Sequence, residues 1–315
     1  MKSVKFLFLL LALLFSPLTS AAEPNTVSWA TATRGGGFQL FGKNLADVIN
    51  ATDNRIHVDA IATRGSRQNL ELLEAGDVDV GQVEGNAARI ALDGIDRPAA
   101  DLKVLSVMYP NPGMFVVRGD SAYQGIEDLK GQPIAFGTQA SGLRILVNDV
   151  LDGLGLHPEK DFRQIILDKA ADGPKLVLNG EAEALWGAGI GWPGFVAVSE
   201  GPAGGRFIPP SPEQIVQIRQ KHPHLKEMTV PAGSYKGQLE DIHSLGLWSL
   251  ILVRPDLNEE TAYRLVRAMH LGHDDFVARL AQGRYTRAEN SVEQIPTERL
   301  HPGAAKFYRE IGLLP

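Results

Sequence analysis

The sequence predicts an α/β protein made of two lobes with a ligand-binding cleft between them. Strand-like and helix-like segments alternate along residues 26–109, and the same alternation recurs along residues 133–198. The chain has 315 residues, which is long for a single hydrophobic core. Two segments, near residues 110–116 and 230–250, are placed to carry the chain between the lobes.

In the first lobe each predicted strand is followed by a helix, as expected for a mostly parallel sheet. Apolar side chains recur at helical spacing along residues 37–50. Ser66 is a suitable first residue for the next helix, and Gly76 ends it. In order, the segments are a strand at 26–31, a helix at 37–50, a strand at 55–61, a helix at 66–76, a strand at 78–83, a helix at 85–92 and a strand at 103–109.

The second lobe repeats this order, and the chain then returns to the first. A loop is predicted at 201–212, and a long apolar strand at 245–254 leads back. The remaining segments are strands at 133–137, 162–167 and 182–186, and helices at 141–154, 172–179, 192–198, 212–221, 258–271, 273–282 and 302–311. These segments assign residues 23–113 and 245–315 to lobe 1, and residues 114–244 to lobe 2.

The first 22 residues have the pattern of a cleaved secretory signal peptide. Lys2 and Lys5 precede an apolar run at 6–15, and small residues follow at Ala21 and Ala22. The apolar run of about ten residues is half the length that a membrane-spanning helix needs. We therefore expect an exported, periplasmic protein.

The charge balance and the cysteine content exclude some kinds of binding partner and metal site. The chain has 31 basic and 37 acidic residues and no cysteine. Without Lys2 and Lys5, 29 basic residues remain against the same 37 acidic ones, a net charge of about −8. This balance disfavours nucleic acid as a partner. The absence of cysteine excludes disulfides and cysteine-based metal sites.

Unusual residues follow the predicted strands of the first lobe. Ligands of open α/β sheets bind beyond the carboxyl ends of the strands, so these loops are the candidate site. The run Gly35-Gly36-Gly37 would bring backbone N–H groups at a helix start close to a ligand, although it also suits a tight turn. Residues 63–69 place two arginines at the start of the next helix, where an anion is favoured, but surface positions suit these arginines equally.

The second lobe contributes two similar loops. Residues 137–142 link a strand to a helix, and residues 186–193 combine a tryptophan with three glycines. Trp186 suits a pocket wall or the core equally. The complete set of candidate ligand-binding residues is Arg34, Gly35, Gly36, Gly37, Phe38, Ser66, Arg67, Asn69, Glu84, Asn86, Tyr109, Thr138, Gln139, Ser141, Gly142, Arg144, Trp186, Gly187 and Gly189.

Several other motifs are incomplete. Residues 37–44 approach the phosphate-binding loop pattern, but Asn44 stands where a hydroxyl should hold magnesium. The sequence offers no coherent set of nucleophile, base and oxyanion donors, so we expect no catalytic residues and no cofactor. His222 and His224 flank a proline in a charged loop, and we interpret them as solvated histidines rather than metal ligands.

The chain resembles the TAXI family of solute-binding proteins that serve TRAP transporters. Residues 31–42 resemble that family's glycine-rich opening loop, and residues 62–70 resemble its second loop. Residues 128–137 with Ser141-Gly142 are similar to its start of the second lobe, and residues 301–313 to its closing helix. The first loop departs from the family's threonine-rich pattern.

The resemblance implies a type II periplasmic-binding fold that closes on a small carboxylate or amino acid. It implies delivery of that anionic ligand to a TRAP membrane permease driven by an ion gradient. A periplasmic sensor for a membrane kinase and an ABC-type binding protein are the alternatives, because fold does not fix function.

Overall fold

The computed structural model describes residues 24–315. The predicted signal peptide, residues 1–22, lies outside this range. Within residues 24–315, none of the helices has the length and apolar character needed to cross a membrane.

In the described part of the chain, twelve strands form two separate sheets. In chain order they are β1 (Asn25–Ala30), β2 (Ile56–Ile61), β3 (Val80–Val83), β4 (Lys103–Pro110), β5 (Gly113–Arg118), β6 (Pro133–Thr138), β7 (Arg163–Leu167), β8 (Ala184–Ala188), β9 (Gly205–Ile208), β10 (Lys226–Val230), β11 (Ile242–Gly246) and β12 (Trp248–Val253).

Among the residues that the structure describes, twelve α-helices cover the sheets, and short 3-10 turns link some of them. The helices are α1 (Gly37–Thr52), α2 (Ser66–Ala75), α3 (Gly85–Asp93), α4 (Leu143–Gly153), α5 (Pro158–Asp161), α6 (Gly173–Leu178), α7 (Pro193–Ser199), α8 (Pro212–Lys221), α9 (Glu259–Leu271), α10 (His273–Arg279), α11 (Ala288–Gln294) and α12 (Pro302–Glu310).

The first lobe is built on a five-stranded sheet in the order β2-β1-β3-β12-β4. Strands β1, β2 and β3 pair in parallel, whereas β12 runs antiparallel to both β3 and β4. Helix α1 buries Phe41, Leu45 and Ile49 on one face, which is the face that its apolar spacing predicts. Gly76 ends α2 in a left-handed conformation, as expected.

The second lobe is built on a seven-stranded mixed sheet. Six strands follow the order β10-β11-β5-β8-β6-β7, and β9 pairs with β5. Strands β6, β7 and β8 are parallel, so the strand-helix alternation predicted for this lobe is present here. Hydrophobic clusters lie on both faces of the sheet, one around Phe115 and Trp186, the other around Phe195.

The chain passes between the sheets twice, at adjacent points. It leaves the first sheet after β4 and enters the second at β5, and it returns between β11 and β12. The two crossings are hydrogen-bonded, because the backbone N–H of Asn111 donates to the carbonyl of Leu247 at 3.1 Å. The two crossings therefore form one compact connection between the lobes, which we call the hinge.

Two predicted segments differ from the structure, and strand β10 and helix α11 were not predicted. The long strand predicted at 245–254 is two strands, β11 and β12, which break at Leu247 and belong to different sheets. The apolar run continues through the break, so its pattern carries no sign of the exchange. The loop predicted at 201–212 contains β9, which forms by pairing with β5. Strand β10 is mostly polar and exposed, and sequence reasoning missed it.

Candidate ligand-binding site

A cavity of about 60 Å³ lies between the lobes. It is lined from both sides, which makes it a site that only the two lobes together can form. Lobe 1 contributes Ala32, Thr33, Gly36, Gly37, Phe38, Arg64, Gly65, Ser66, Glu84, Tyr109 and Asn111, and lobe 2 contributes Thr138, Ser141, Gly142, Leu143, Ala170, Ala188 and Trp192.

The lining residues come from the carboxyl ends of seven strands. They belong to the ends of, or the segments after, β1, β2, β3 and β4 in the first sheet, and β6, β7 and β8 in the second. Open α/β sheets place ligands at these strand ends, because helices begin there and side chains from several strands converge. In both sheets, the carboxyl ends of these strands face the same cleft.

The first turns of three helices line the cavity. Gly36 and Gly37 begin α1, Gly65 and Ser66 begin α2, and Gly142 with Leu143 begins α4. Within residues 24–315, no side chain caps the first turn of α1 or α2. Unpaired N–H groups and the helix dipole give such a turn a partial positive charge, which favours an anionic group.

Gly65 brings the lobes into close contact. Its φ of 121° is a conformation that only glycine adopts readily, and a Cβ there would lie 3.2 Å from the carbonyl oxygen of Ala140 in lobe 2. Hydrogen bonds close the cleft around it. The N–H of Arg67 donates to Ala140 at 3.3 Å, Thr138 Oγ1 donates to the Arg64 carbonyl at 3.4 Å, and the N–H of Ala170 donates to Thr33 Oγ1 at 3.2 Å. The structure is that of a closed cleft.

Glu84 places a buried carboxyl group in the cavity wall. It is 1% exposed and caps α3, accepting hydrogen bonds from the backbone N–H groups of Asn86 and Ala87 and from Asn86 Nδ2. Burial raises its pKa to about 8, against the lowering effect of these three hydrogen bonds. At neutral pH the group is therefore mainly uncharged and does not repel an anion.

Aromatic rings form the apolar part of the wall. Phe38 and Tyr109 pack edge to face with ring centroids 6.3 Å apart. Burial raises the pKa of the Tyr109 hydroxyl, so this group remains neutral. The ring of Trp192 lies against the start of α1, where a Cβ on Gly37 would be only 2.7 Å away. The glycine allows helix and ring to meet.

Residues 29–312 match the model of the NMT1-like family. The chain belongs to the NMT1-like family. Among solved structures, a protein from Bordetella bronchiseptica RB50 has a TM-score of 0.55 at 14% sequence identity, covering 92% of this chain and 98% of that one. The periplasmic aliphatic sulphonate binding protein SsuA from Escherichia coli has a TM-score of 0.50 at 18% identity, covering 93% and 94%.

These likenesses identify the fold. The two-lobed α/β architecture of periplasmic binding proteins is the fold of this chain, which confirms the predicted fold class. Identities of 14–18% carry no information on the ligand of this protein.

Nine of the predicted ligand-binding residues line the cavity. They come from loops of both lobes: Gly36, Gly37, Phe38, Ser66, Glu84, Tyr109, Thr138, Ser141 and Gly142. The structure brings these together from five separate segments. Two of them also contact each other, because the N–H of Glu84 donates to Ser66 Oγ at 3.0 Å.

Ten of the predicted residues do not line the cavity, and they fall into three groups by location. Arg34, Gly35, Arg67 and Gln139 are exposed, and the half-buried Arg144 donates to Gln139 Oε1 at 2.6 Å. Asn69 and Asn86 are buried beside the site, where they bond to other protein groups. Trp186, Gly187 and Gly189 are buried in the second lobe and its loop. The Trp186 ring packs on Phe115, and its Nε1 donates to the Leu143 carbonyl.

Asn69 shows why a polar residue in the right loop need not face the ligand. Its Nδ2 donates to the carbonyls of Thr31 at 2.7 Å and Gln82 at 2.8 Å, and its Oδ1 accepts from Thr63 Oγ1 at 2.6 Å. The amide therefore ties the ends of β1 and β3 to α2. Asn69 therefore stabilises the loops that line the cavity without lining it itself.

Nine lining residues were not in the predicted set: Ala32, Thr33, Arg64, Gly65, Asn111, Leu143, Ala170, Ala188 and Trp192. Most of them lie in or next to the predicted loops, whereas Asn111 and Ala170 lie outside these loops, and the prediction chose Arg67 rather than Arg64. Ala170 follows β7, so the rule that ligands lie after strand ends would have included it. Asn111 lies in the crossing segment, whose turn residues suggested only a connection. The choice between Arg64 and Arg67 has no sequence signal, because both side chains are exposed and the backbone path of the loop decides which residue lines the cavity.

Proposed function

We propose that this chain is a periplasmic solute-binding protein that captures a small organic anion, a carboxylate or an amino acid, and delivers it to a TRAP-type permease. The cavity that both lobes line together carries this proposal. A ligand held there contacts both lobes and so stabilises the closed form over the open one. The permease can then recognise the closed form.

The chemistry of the cavity supports an anionic group. The first turns of α1 and α2 supply N–H donors, and Arg64 supplies a guanidinium. Ser66 and Thr138 add hydroxyl groups. Glu84, with its raised pKa, offers a neutral carboxyl that can donate a hydrogen bond to an anionic oxygen.

The size of the cavity supports a small ligand. A cavity needs a volume of about 10–15 Å³ to hold one water molecule. A cavity volume of 60 Å³ therefore has room for roughly four to six water-sized groups. A short-chain carboxylate or a small amino acid fits this size. Its apolar part would lie against Phe38, Tyr109 and Trp192.

The permease class rests on the sequence resemblance to TAXI proteins in residues 31–42, 62–70 and 128–137. An ABC-type binding protein is the second candidate, because the fold alone does not fix the class of transporter that a binding protein serves. A gene for a large TRAP-type permease beside this one is the expected genomic neighbour. A neighbouring gene for a transport ATPase would instead favour the ABC candidate.

Thermal unfolding of the purified protein against a panel of small carboxylates, amino acids and sulfonates tests the ligand class. A ligand at 100 times its dissociation constant stabilises the bound state by about 2.7 kcal/mol. For a chain of this size that corresponds to a rise in Tm of about 5 °C.

A matched pair of variants locates the binding site. Arg64→Gln removes the guanidinium of an exposed residue that lines the cavity, and we expect about tenfold weaker binding, because a hydrogen bond to a charged group contributes about 1.5–3 kcal/mol. Arg67→Gln changes an arginine of the same loop that is also exposed but does not line the cavity, and it should leave affinity unchanged. The proposal fails if no anion in the panel stabilises the protein, or if both variants bind equally well.

A further inference from the structure

A second polar cluster lies in lobe 2, and none of its members lines the cleft cavity. Helix α4 carries Asp149 and Asp152, which lie one turn apart, and the segment after α8 carries His222 and His224. His224 Nε2 is 3.0 Å from Asp149 Oδ2, and His222 Nδ1 is 3.7 Å from Asp149 Oδ1. Two segments distant in sequence thus direct two imidazoles and a carboxylate towards one point.

The spacing of these atoms fits a tetrahedral metal ion. Zn²⁺ binds histidine nitrogen and carboxylate oxygen at about 2.0–2.2 Å, which places neighbouring ligand atoms about 3.3–3.6 Å apart. The separations of 3.0 and 3.7 Å are to the two different oxygens of Asp149, and one ligand atom from each of the three residues lies within 4.8 Å of the others, so a modest side-chain adjustment brings them to this spacing. The three side chains are 16–21% exposed, so water can take the fourth position.

The position of Asp152 favours a metal site over an interpretation of these residues as solvated histidines. Its Oδ2 lies 2.7 Å from His222 Nε2, and its Oδ1 lies 2.7 Å from Lys221 Nζ. A carboxylate on the outer nitrogen of a histidine is the usual arrangement around zinc, because it holds the proton there and leaves the other nitrogen free to bind the metal. Here it leaves Nδ1 of His222 directed towards Asp149.

We propose that Asp149, His222 and His224 bind a Zn²⁺-class divalent ion, with Asp152 as the positioning residue for His222. The ion would clamp α4 to the segment after α8. Because the first turn of α4 lines the cleft, the clamp would stabilise the part of lobe 2 that contacts the ligand. This site is independent of the proposed solute.

Calorimetric titration of the purified protein with Zn²⁺ tests the site, using protein without a polyhistidine tag and stripped with EDTA. We expect one ion per chain and no detectable binding of Mg²⁺, which prefers oxygen ligands. His224→Gln and Asp149→Asn should each weaken Zn²⁺ binding at least about 100-fold, since each removes one of only three protein ligands. His243→Gln, an exposed histidine on β11, is the control and should bind as the unaltered protein does.

Asp152→Asn separates positioning from a merely structural role. We expect one ion still to bind, about 10–100-fold more weakly, with a changed visible absorption spectrum of bound Co²⁺. Circular dichroism and thermal unfolding in EDTA establish that each variant is folded. We expect folded variants, because all of the substituted side chains are partly exposed. Absence of Zn²⁺ binding, or binding that survives both His224→Gln and Asp149→Asn, overturns the proposal. Neither result bears on the anion panel.

Discussion

Glu84 couples the protonation of one carboxyl group to closure of the cleft. Gly142 of lobe 2 packs against it so closely that a Cβ on Gly142 would lie 2.5 Å from Glu84 Cβ. Opening would remove this cover and hydrate the carboxyl group, so its pKa should then fall towards the ordinary value. The closed form therefore binds the proton more tightly. Its contribution to closure is fully present below the pKa of the open form, and is lost as pH rises through about 8.

We expect affinity for a carboxylate ligand to fall as pH rises from about 6 to about 8 and to level off above that. One linked proton gives a slope of up to about tenfold per pH unit between the pKa of the open form, near the ordinary 4.5, and the pKa of about 8 in the closed form. Ionised Glu84 also repels the anion. Glu84→Gln keeps the size of the side chain without the charge, so this variant should bind with little pH dependence. Calorimetric titration at each pH measures the dissociation constant.

Glu71→Gln is the matched control, because Glu71 is an exposed carboxyl group on α2. This variant should retain the full pH dependence. A pH profile that is the same in Glu84→Gln and in the unaltered protein would show that Glu84 is not the linked group. Affinity that rises through pH 8 would instead indicate a ligand whose ammonium group pairs with ionised Glu84.

The two crossing segments act as one structural element. A Cβ on Gly246 would lie 1.8 Å from the carbonyl oxygen of Asn111, so only glycine permits this approach. Asn111 Nδ2 also donates to Ser249 Oγ, which lies in β12 just after the second crossing. Since Asn111 lines the cavity, the hinge and the ligand site share a residue.

We expect Gly246→Ala to push the crossing segments apart. Overpacking of this kind costs about 1–3 kcal/mol of folding free energy, and a displaced Asn111 should also weaken ligand binding. Urea unfolding and ligand titration measure the two effects. Gly125→Ala is the control, because the nearest atom to a Cβ there is 3.7 Å away. If Gly246→Ala unfolds like Gly125→Ala, the tight crossing does not constrain the protein.

The elements differ in how far sequence could predict them. Strands β1 to β4 and helices α1 to α3 follow their predicted positions closely, because local apolar spacing and residues such as Ser66 and Gly76 mark them. Strand β9 depends on pairing with β5, which is distant in sequence, and the break at Leu247 depends on which sheet each half joins. Neither leaves a local pattern.

The residues of the candidate site also divide into those that local sequence predicts and those that it does not. Its loops could be predicted, since they follow strands, and nine predicted residues line the cavity. The direction of individual side chains could not. Asn69 and Arg64 lie in one loop, yet Asn69 bonds to backbone carbonyls behind the loop and Arg64 lines the cavity. Only the backbone path, set by the φ of 121° at Gly65 and contact with lobe 2, separates them.

At the scale of the whole molecule, the two lobes must separate to admit a ligand. The closed cleft is held by a few hydrogen bonds between the lobes, such as that from Ala170 N–H to Thr33 Oγ1. A Cβ on Gly36 would lie 3.2 Å from Ala170 Cβ, across the cleft. Gly36 has a φ of −78°, which any residue adopts, and the chain has no cysteine of its own. A disulfide between these positions is therefore a direct way to lock the lobes.

We expect the double variant Gly36→Cys, Ala170→Cys to form this disulfide on oxidation. The Cβ separation of 3.2 Å is slightly below the usual 3.5–4.5 Å, so a small relaxation suffices. Oxidised without ligand, the protein should fail to bind any ligand found in the panel, and reduction with dithiothreitol should restore binding. The two single variants control for the effect of each new side chain on the cavity. If the fully oxidised protein still exchanges ligand freely, the ligand does not enter between the lobes, because the disulfide prevents the lobes from separating.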